Sequence, residues 1–135
     1  MKIYRLLHLM AAITLSVFVA RAQNQGPLTP EQKEKQLMDF VDKEVQRLST
    51  LLELEYWQEF YVDSTLTHDY KAMSEELESM SKAKVENRDL YQNVQDKWAQ
   101  KIDDSYKRFF TEQQWNKYWK TSGKRAYEAR NKRKK

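Results

Sequence analysis

Residues 37–56 read LMDFVDKEVQRLSTLLELEY, and the apolar members Leu37, Val41, Val45, Leu48, Leu52 and Tyr56 step by three or four. That interval puts all six on one side of a helix, whereas no run of the chain alternates as a half-buried strand would. Outward from this stretch the same character persists. Between Pro30 and Gly123 there is neither glycine nor proline, and the composition is rich in Glu, Lys, Gln, Leu and Met. The chain is therefore expected to be all-α, with a first helix over residues 30–61.

The residues Asp63-Ser64-Thr65-Leu66-Thr67 gather side chains that compete with the backbone for hydrogen bonds, and a reversal is expected there. Beyond it Leu66, Tyr70, Met73, Leu77 and Met80 keep a four-three spacing, and Tyr91, Val94 and Trp98 resume the same phase. Ile102, Tyr106 and Phe109 drift by one residue, as a repeat of 3.6 demands. One long helix over residues 64–109 follows, weakened at 82–87, where polar Lys84 and Asn87 hold inward positions. A break there makes four helices instead of three.

Two short segments repeat a helix-starting device. Leu28-Thr29-Pro30-Glu31-Gln32 and Phe110-Thr111-Glu112-Gln113-Gln114 each place a threonine at the N-cap and a glutamine three residues later, the spacing of a capping box. Pro30 suits a first helical position, and Phe110 with Trp115 has the spacing of a hydrophobic staple. Thr29, Gln32, Thr111 and Gln114 are thus expected to cap helices. The last helix should carry Trp115, Tyr118 and Trp119 on one face and fray after Gly123.

The first 22 residues read as a secretory signal peptide. Lys2 and Arg5 precede an apolar run at 6–20, and Ala20-Arg21-Ala22 presents small residues for cleavage after Ala22. The run is shorter than the roughly 20 residues of a membrane-spanning helix. Export across a membrane is expected, and the absence of cysteine excludes disulfides and thiolate metal sites. Losing Lys2, Arg5 and Arg21 lowers the formal charge from +4 to +1. Charge then divides unevenly. Residues 123–135 hold seven Lys or Arg and one Glu, whereas residues 23–122 are net −5. The organisation expected is a signal peptide at 1–22, an extension with the first cap at 23–29, a helical domain at 30–122 and a basic, frayed tail at 123–135. The tail is suited to touching a membrane surface. No nucleic-acid partner is expected, for want of a base-stacking platform.

At 1.5 Å per residue the three helices would be roughly 48, 70 and 30 Å long. The outer two could lie end to end along the middle one, giving a thin, elongated antiparallel layer. Such a layer leaves apolar side chains uncovered. Phe40, Trp57, Phe60 and Tyr61 lie off the main stripe and are expected to face a partner or a second copy, and a cradle-like homodimer would cover them. Met38, Met73 and Met80 add adaptable apolar surface.

These features resemble the Spy/CpxP family of periplasmic helical proteins. The resemblance rests on Leu28-Thr29-Pro30-Glu31-Gln32 after a signal peptide, a long polar helix, and Tyr106-x-x-Phe109-Phe110-Thr111-x-x-Gln114-x-x-x-Tyr118. Phe110 stands where the family motif has Leu, and Glu112 where Pro is common. The resemblance implies a cradle-shaped antiparallel dimer that holds unfolded or partly folded clients under envelope stress without ATP. The alternatives are an inhibitor or adaptor of an envelope-stress sensor, or a structural helical protein of the envelope.

Enzymatic activity is not expected. The single histidine after the leader, His68, sits beside Asp69 as a first-turn pair, and Glu75-Glu76 and Asp103-Asp104 are adjacent acids that point apart on a helix. Neither a metal nor a cofactor is implied.

Overall fold

The computed structural model describes residues 26–133. The expected signal peptide and its cleavage site fall outside the described residues, as do Lys134 and Lys135. The chain divides into two compact units, residues 1–35 and 36–135. The described part of the first unit contains the start of α1 (Pro30–Leu52). There the Thr29 N–H donates to Gln32 Oε1 at 3.0 Å and the Gln32 N–H to Thr29 Oγ1 at 3.2 Å, a closed capping box.

In the second unit α1 continues, followed by α2 (Tyr56–Lys82), α3 (Arg88–Phe109), and a fourth helix made of α4 (Glu112–Tyr118), a π turn (Trp119–Gly123) and α5 (Lys124–Arg133). The all-α class is thus established with four helices among the described residues, and the weak point at 82–87 is a real break. The core is built from Val41, Leu48 and Leu52 of α1, Val62 and Leu66 of α2, Ile102 and Tyr106 of α3, then Phe110 and Tyr118.

The first reversal is at residues 53–55, not 63–67. α1 ends in a Schellman arrangement: Glu53 takes a left-handed φ of 52°, and the Leu54 N–H reaches the Ser49 carbonyl at 3.3 Å. α2 ends the same way, with Lys84 at φ 55° and the Val85 N–H on the Met80 carbonyl at 3.1 Å. Neither stop uses glycine, so the sequence carries no punctuation at either. At 63–67 burial overrides local preference. Val62 and Leu66 are anchored in the core, α2 runs straight through, and the Thr67 hydroxyl is buried without a hydrogen-bond partner.

α3 folds back along α2 from an N-cap at Asn87, whose Oδ1 accepts from the Asp89 N–H at 2.9 Å. Lys97 meets Glu76 at 2.6 Å, the Trp98 indole donates to the same carboxylate at 2.7 Å, and Lys101 pairs with buried Asp69 at 3.1 Å. The bonds from Lys97 and Trp98 hold the Glu76 carboxyl below the ordinary range. The two halves expected to be one continuous helix are therefore the two arms of a hairpin. They share a phase because both face the same core.

The tail does not fray after Gly123. α5 runs to Arg133, and Arg130, 6% exposed, donates to Asp103 at 2.5 Å, while Arg133 bonds both oxygens of Asp96 at 2.6 and 3.1 Å. Tyr118 donates to the other Asp103 oxygen at 2.6 Å. Burial raises the Asp96 carboxyl, yet the hydrogen bonds from Arg133 and Gln92 outweigh it and leave the group below its usual value. Burial, with the Asp103 charge, pushes the Tyr118 phenol far above the tyrosine range.

The π turn sets this register. At about 100° per residue, twelve α-helical steps would leave Tyr118 and Arg130 about 120° apart; one residue absorbed in the wide turn brings them within about 20°. The Lys124 N–H reaches the Trp119 carbonyl to close it. Gly123 is required there, because a Cβ would lie 2.8 Å from Trp119 Cε3 and 3.1 Å from Tyr118 Cε1.

Candidate functional site: an aromatic face on a glutamine-locked junction

The second capping box closes as the spacing suggests: the Thr111 N–H donates to Gln114 Oε1 at 2.9 Å and the Gln114 N–H to Thr111 Oγ1 at 3.2 Å. A third box begins α2, where the Glu55 N–H donates to Gln58 Oε1 at 2.9 Å. The two glutamines meet. Gln58 Nε2 donates to Gln114 Oε1 at 2.7 Å, and Gln114 Nε2 returns a bond to Gln58 Oε1 at 3.0 Å. Each also caps a helix end on the opposite junction: Gln58 Nε2 reaches the Phe109 carbonyl at 2.9 Å, and Gln114 Nε2 the Leu52 carbonyl at 3.3 Å.

Every donor and acceptor of the two amides is used. This matters because Gln58 is 1% exposed, and a buried amide left unpaired is strongly destabilising. The α1–α2 and α3–α4 turns are thereby fastened to one another. Gln58 is not among the residues expected from sequence to cap a helix, although Leu54-Glu55-Tyr56-Trp57-Gln58 repeats the apolar–cap–x–x–Gln order of residues 28–32 and 110–114. Glutamate is a poor N-cap residue, which concealed the third copy.

The locked helix start carries aromatic side chains outward. Gln58, Val62, Leu66 and Asp69 point into the core at i, i+4, i+8 and i+11, so Tyr56, Trp57, Phe60 and Tyr61 take the other side. Tyr56 is 88% exposed and Phe60 64%, with Trp57 and Tyr61 about half exposed. Tyr61 receives Trp57 and Phe60 edge-on, with ring centroids 6.1 and 5.8 Å away, and stacks on Phe109 at 5.9 Å. Phe109 continues through Tyr106 and Phe110 to Tyr118, Trp115 and Trp119, so the exposed rings stand on an aromatic core. The Trp57 indole is fixed by Glu55 Oε2 at 2.5 Å, and Glu59 accepts from the Ser49 hydroxyl.

Phe40 does not join this face. Its ring packs edge-on against Tyr70 of α2 at 4.9 Å, and among the described residues no ring contact links that pair to the Trp57–Tyr61 group. Met38 is exposed, while Met73 and Met80 are half-buried on the flank of α2.

His68 and Asp69 lie well inside α2 and not in a first turn. His68 Nδ1 is 2.8 Å from an Asp69 oxygen that Lys101 also holds, with no hydroxyl or thiol bonded to the ring among the described residues. Among these residues no cluster of three or more His, Cys, Asp or Glu is placed to hold a metal. A shallow groove of about 760 Å³ follows Thr111, Glu112, Gln113, Asn116, Lys117 and Lys120. Its walls are solvated polar side chains of one helix, and it is separate from the aromatic face. Chemically, the arrangement offers a rigid surface of π-faces and apolar edges, suited to contact without bond-making. Compared with known proteins, the chain matches no protein-family model, no curated protein and no solved structure.

Proposed function

We propose that this chain is an exported holding protein of the Spy/CpxP kind, binding unfolded or partly folded polypeptide without nucleotide. One observation carries the reading: Trp57, Phe60 and Tyr61 are in ring contact, Tyr56 precedes them on the same helix start, all four are open to solvent, and that helix start is fastened by the Gln58–Gln114 pair. An isolated exposed apolar residue is ordinary, but a contiguous aromatic patch on a fixed base marks an interaction surface. Shallow contact of this kind suits weak, reversible capture.

In this proposal, residues 1–22 direct the chain to the periplasm and are removed. The helices form a thin, elongated antiparallel layer, and two copies assemble as a cradle-like homodimer. Among the described residues no helix is long and apolar enough to cross a membrane.

The test is light scattering from two unrelated unfolding clients mixed with the purified chain. Aggregation is expected to be suppressed by the wild type and at least severalfold less by Phe60→Asp, with unchanged helical circular dichroism. Absence of suppression together with saturable binding of one envelope sensor domain would replace the holding role by an adaptor role. A compact monomer by solution scattering would remove the cradle.

A further inference from the structure

Between Arg47 and Lys71 the chain contains no Lys or Arg, yet it holds Glu53, Glu55, Glu59, Asp63 and Asp69. This is the segment that bears the aromatic face. Asp69 is taken by Lys101, Glu55 by the Trp57 indole and Glu59 by Ser49. Glu53 and Asp63 have no cationic partner among the described residues, and they bracket Tyr56, Trp57, Phe60 and Tyr61 in sequence. The basic side chains beside Phe109 are turned elsewhere: Lys107 stands over the Trp115 ring at 5.9 Å, and Arg108 donates to Ser105 at 3.0 Å. The exposed rings thus lie on a segment, residues 48–70, that is acidic and free of Lys and Arg.

We infer that the aromatic face is selective for cationic apolar segments, in which Leu or Phe is flanked by Arg or Lys. The apolar residues would pack on Trp57, Phe60 and Tyr61. The flanking cations would pair with Glu53 and Asp63 and lie over the open ring faces, where the aromatic quadrupole attracts positive charge. Acidic segments would be repelled by the same rim, which supplies discrimination as well as attraction. The inference rests on the holding role proposed above and adds the chemical class of segment held.

Fluorescence anisotropy of three labelled peptides tests it on the full chain without its leader. One peptide carries Leu and Phe with Arg, the second has each Arg changed to Glu, and the third keeps Arg but has Ser for Leu and Phe. The first is expected to bind about tenfold more tightly than the acidic twin, the value of about two rim ion pairs, and about tenfold more tightly than the Ser twin, which lacks the apolar groups that would be buried. The margin over the acidic twin should shrink in high salt. Glu53→Gln combined with Asp63→Asn should abolish that margin while retaining apolar binding. Equal binding of the acidic twin overturns the selectivity but leaves the holding role. Equal binding of the Ser twin overturns it in favour of simple charge attraction. If no peptide binds and aggregation of the unrelated clients is also unaffected, both fall. Protection of the face by a second copy, seen as peptide binding that weakens with protein concentration, overturns the assignment to a client.

Discussion

The two sides of α2 invert the usual distribution of polarity. Its inner side buries Gln58 and Asp69 beside Val62 and Leu66, while its outer side exposes Tyr56, Trp57, Phe60 and Tyr61. On the inner side polarity is tolerated because each group is bonded, Gln58 to Gln114, the Phe109 carbonyl and the Glu55 N–H, and Asp69 through Oδ1 to Lys101 and His68. On the outer side apolarity has no compensating burial. The inner side fastens the fold, and the outer side is where the proposed function places a partner.

The sharpest way to break the inner side is Gln58→Ala. It leaves the Phe109 carbonyl, the Glu55 N–H and half of the Gln114 amide unpaired, and urea denaturation is expected to read a loss of about 3 kcal/mol. Acid attacks the same polar scaffold more gradually. Glu76 and Asp96 have carboxyls held low in the fold, so their stabilisation is present above the unfolded-state range of about pH 4 and is lost as pH falls through the lower folded values. The urea midpoint should therefore drop below about pH 4 and be flat between pH 5 and 8.

A change in the opposite direction is available at the helix stops. Glu53→Gly relieves a left-handed non-glycine residue and is expected to stabilise by about 1 kcal/mol, measured as a raised urea midpoint. On the outer side Phe60→Asp should shift stability by less than about 0.5 kcal/mol while weakening client or dimer contact. A large loss of stability in that variant would place Phe60 in the core and erase the contrast between the two sides.

The difference between the sides also accounts for what the sequence disclosed. Apolar periodicity traces α1, α2 from Leu66 onward and α3, because Val41, Leu48, Leu52, Leu66, Ile102 and Tyr106 do face inward. It fails at the start of α2, where inward position 58 is polar and outward positions 56, 57, 60 and 61 are aromatic. Threonine caps were legible at Thr29 and Thr111, whereas the cap at Glu55 was masked by its residue type. Stops at Glu53 and Lys84 gave no glycine signal, so a helix was extended to residue 61 and two helices were joined as one. Exposure of Trp57, Phe60 and Tyr61 was anticipated from their place off the main stripe. Their fastening through Gln58 depends on a contact 56 residues away, which no local pattern records.

Asp96 and Asp103 are inside the structure, and their cationic counterparts are Arg130 and Arg133, roughly thirty residues further along. Without α5 both acids would have no cationic partner in a dry environment, so the hairpin is disfavoured from sealing until α5 is in place. Such a chain would stay loose until its last helix docks. For a protein proposed to cross a membrane before it matures, late closure keeps the polypeptide threadable, and the same electrostatic pairing that completes the structure sets when that freedom ends.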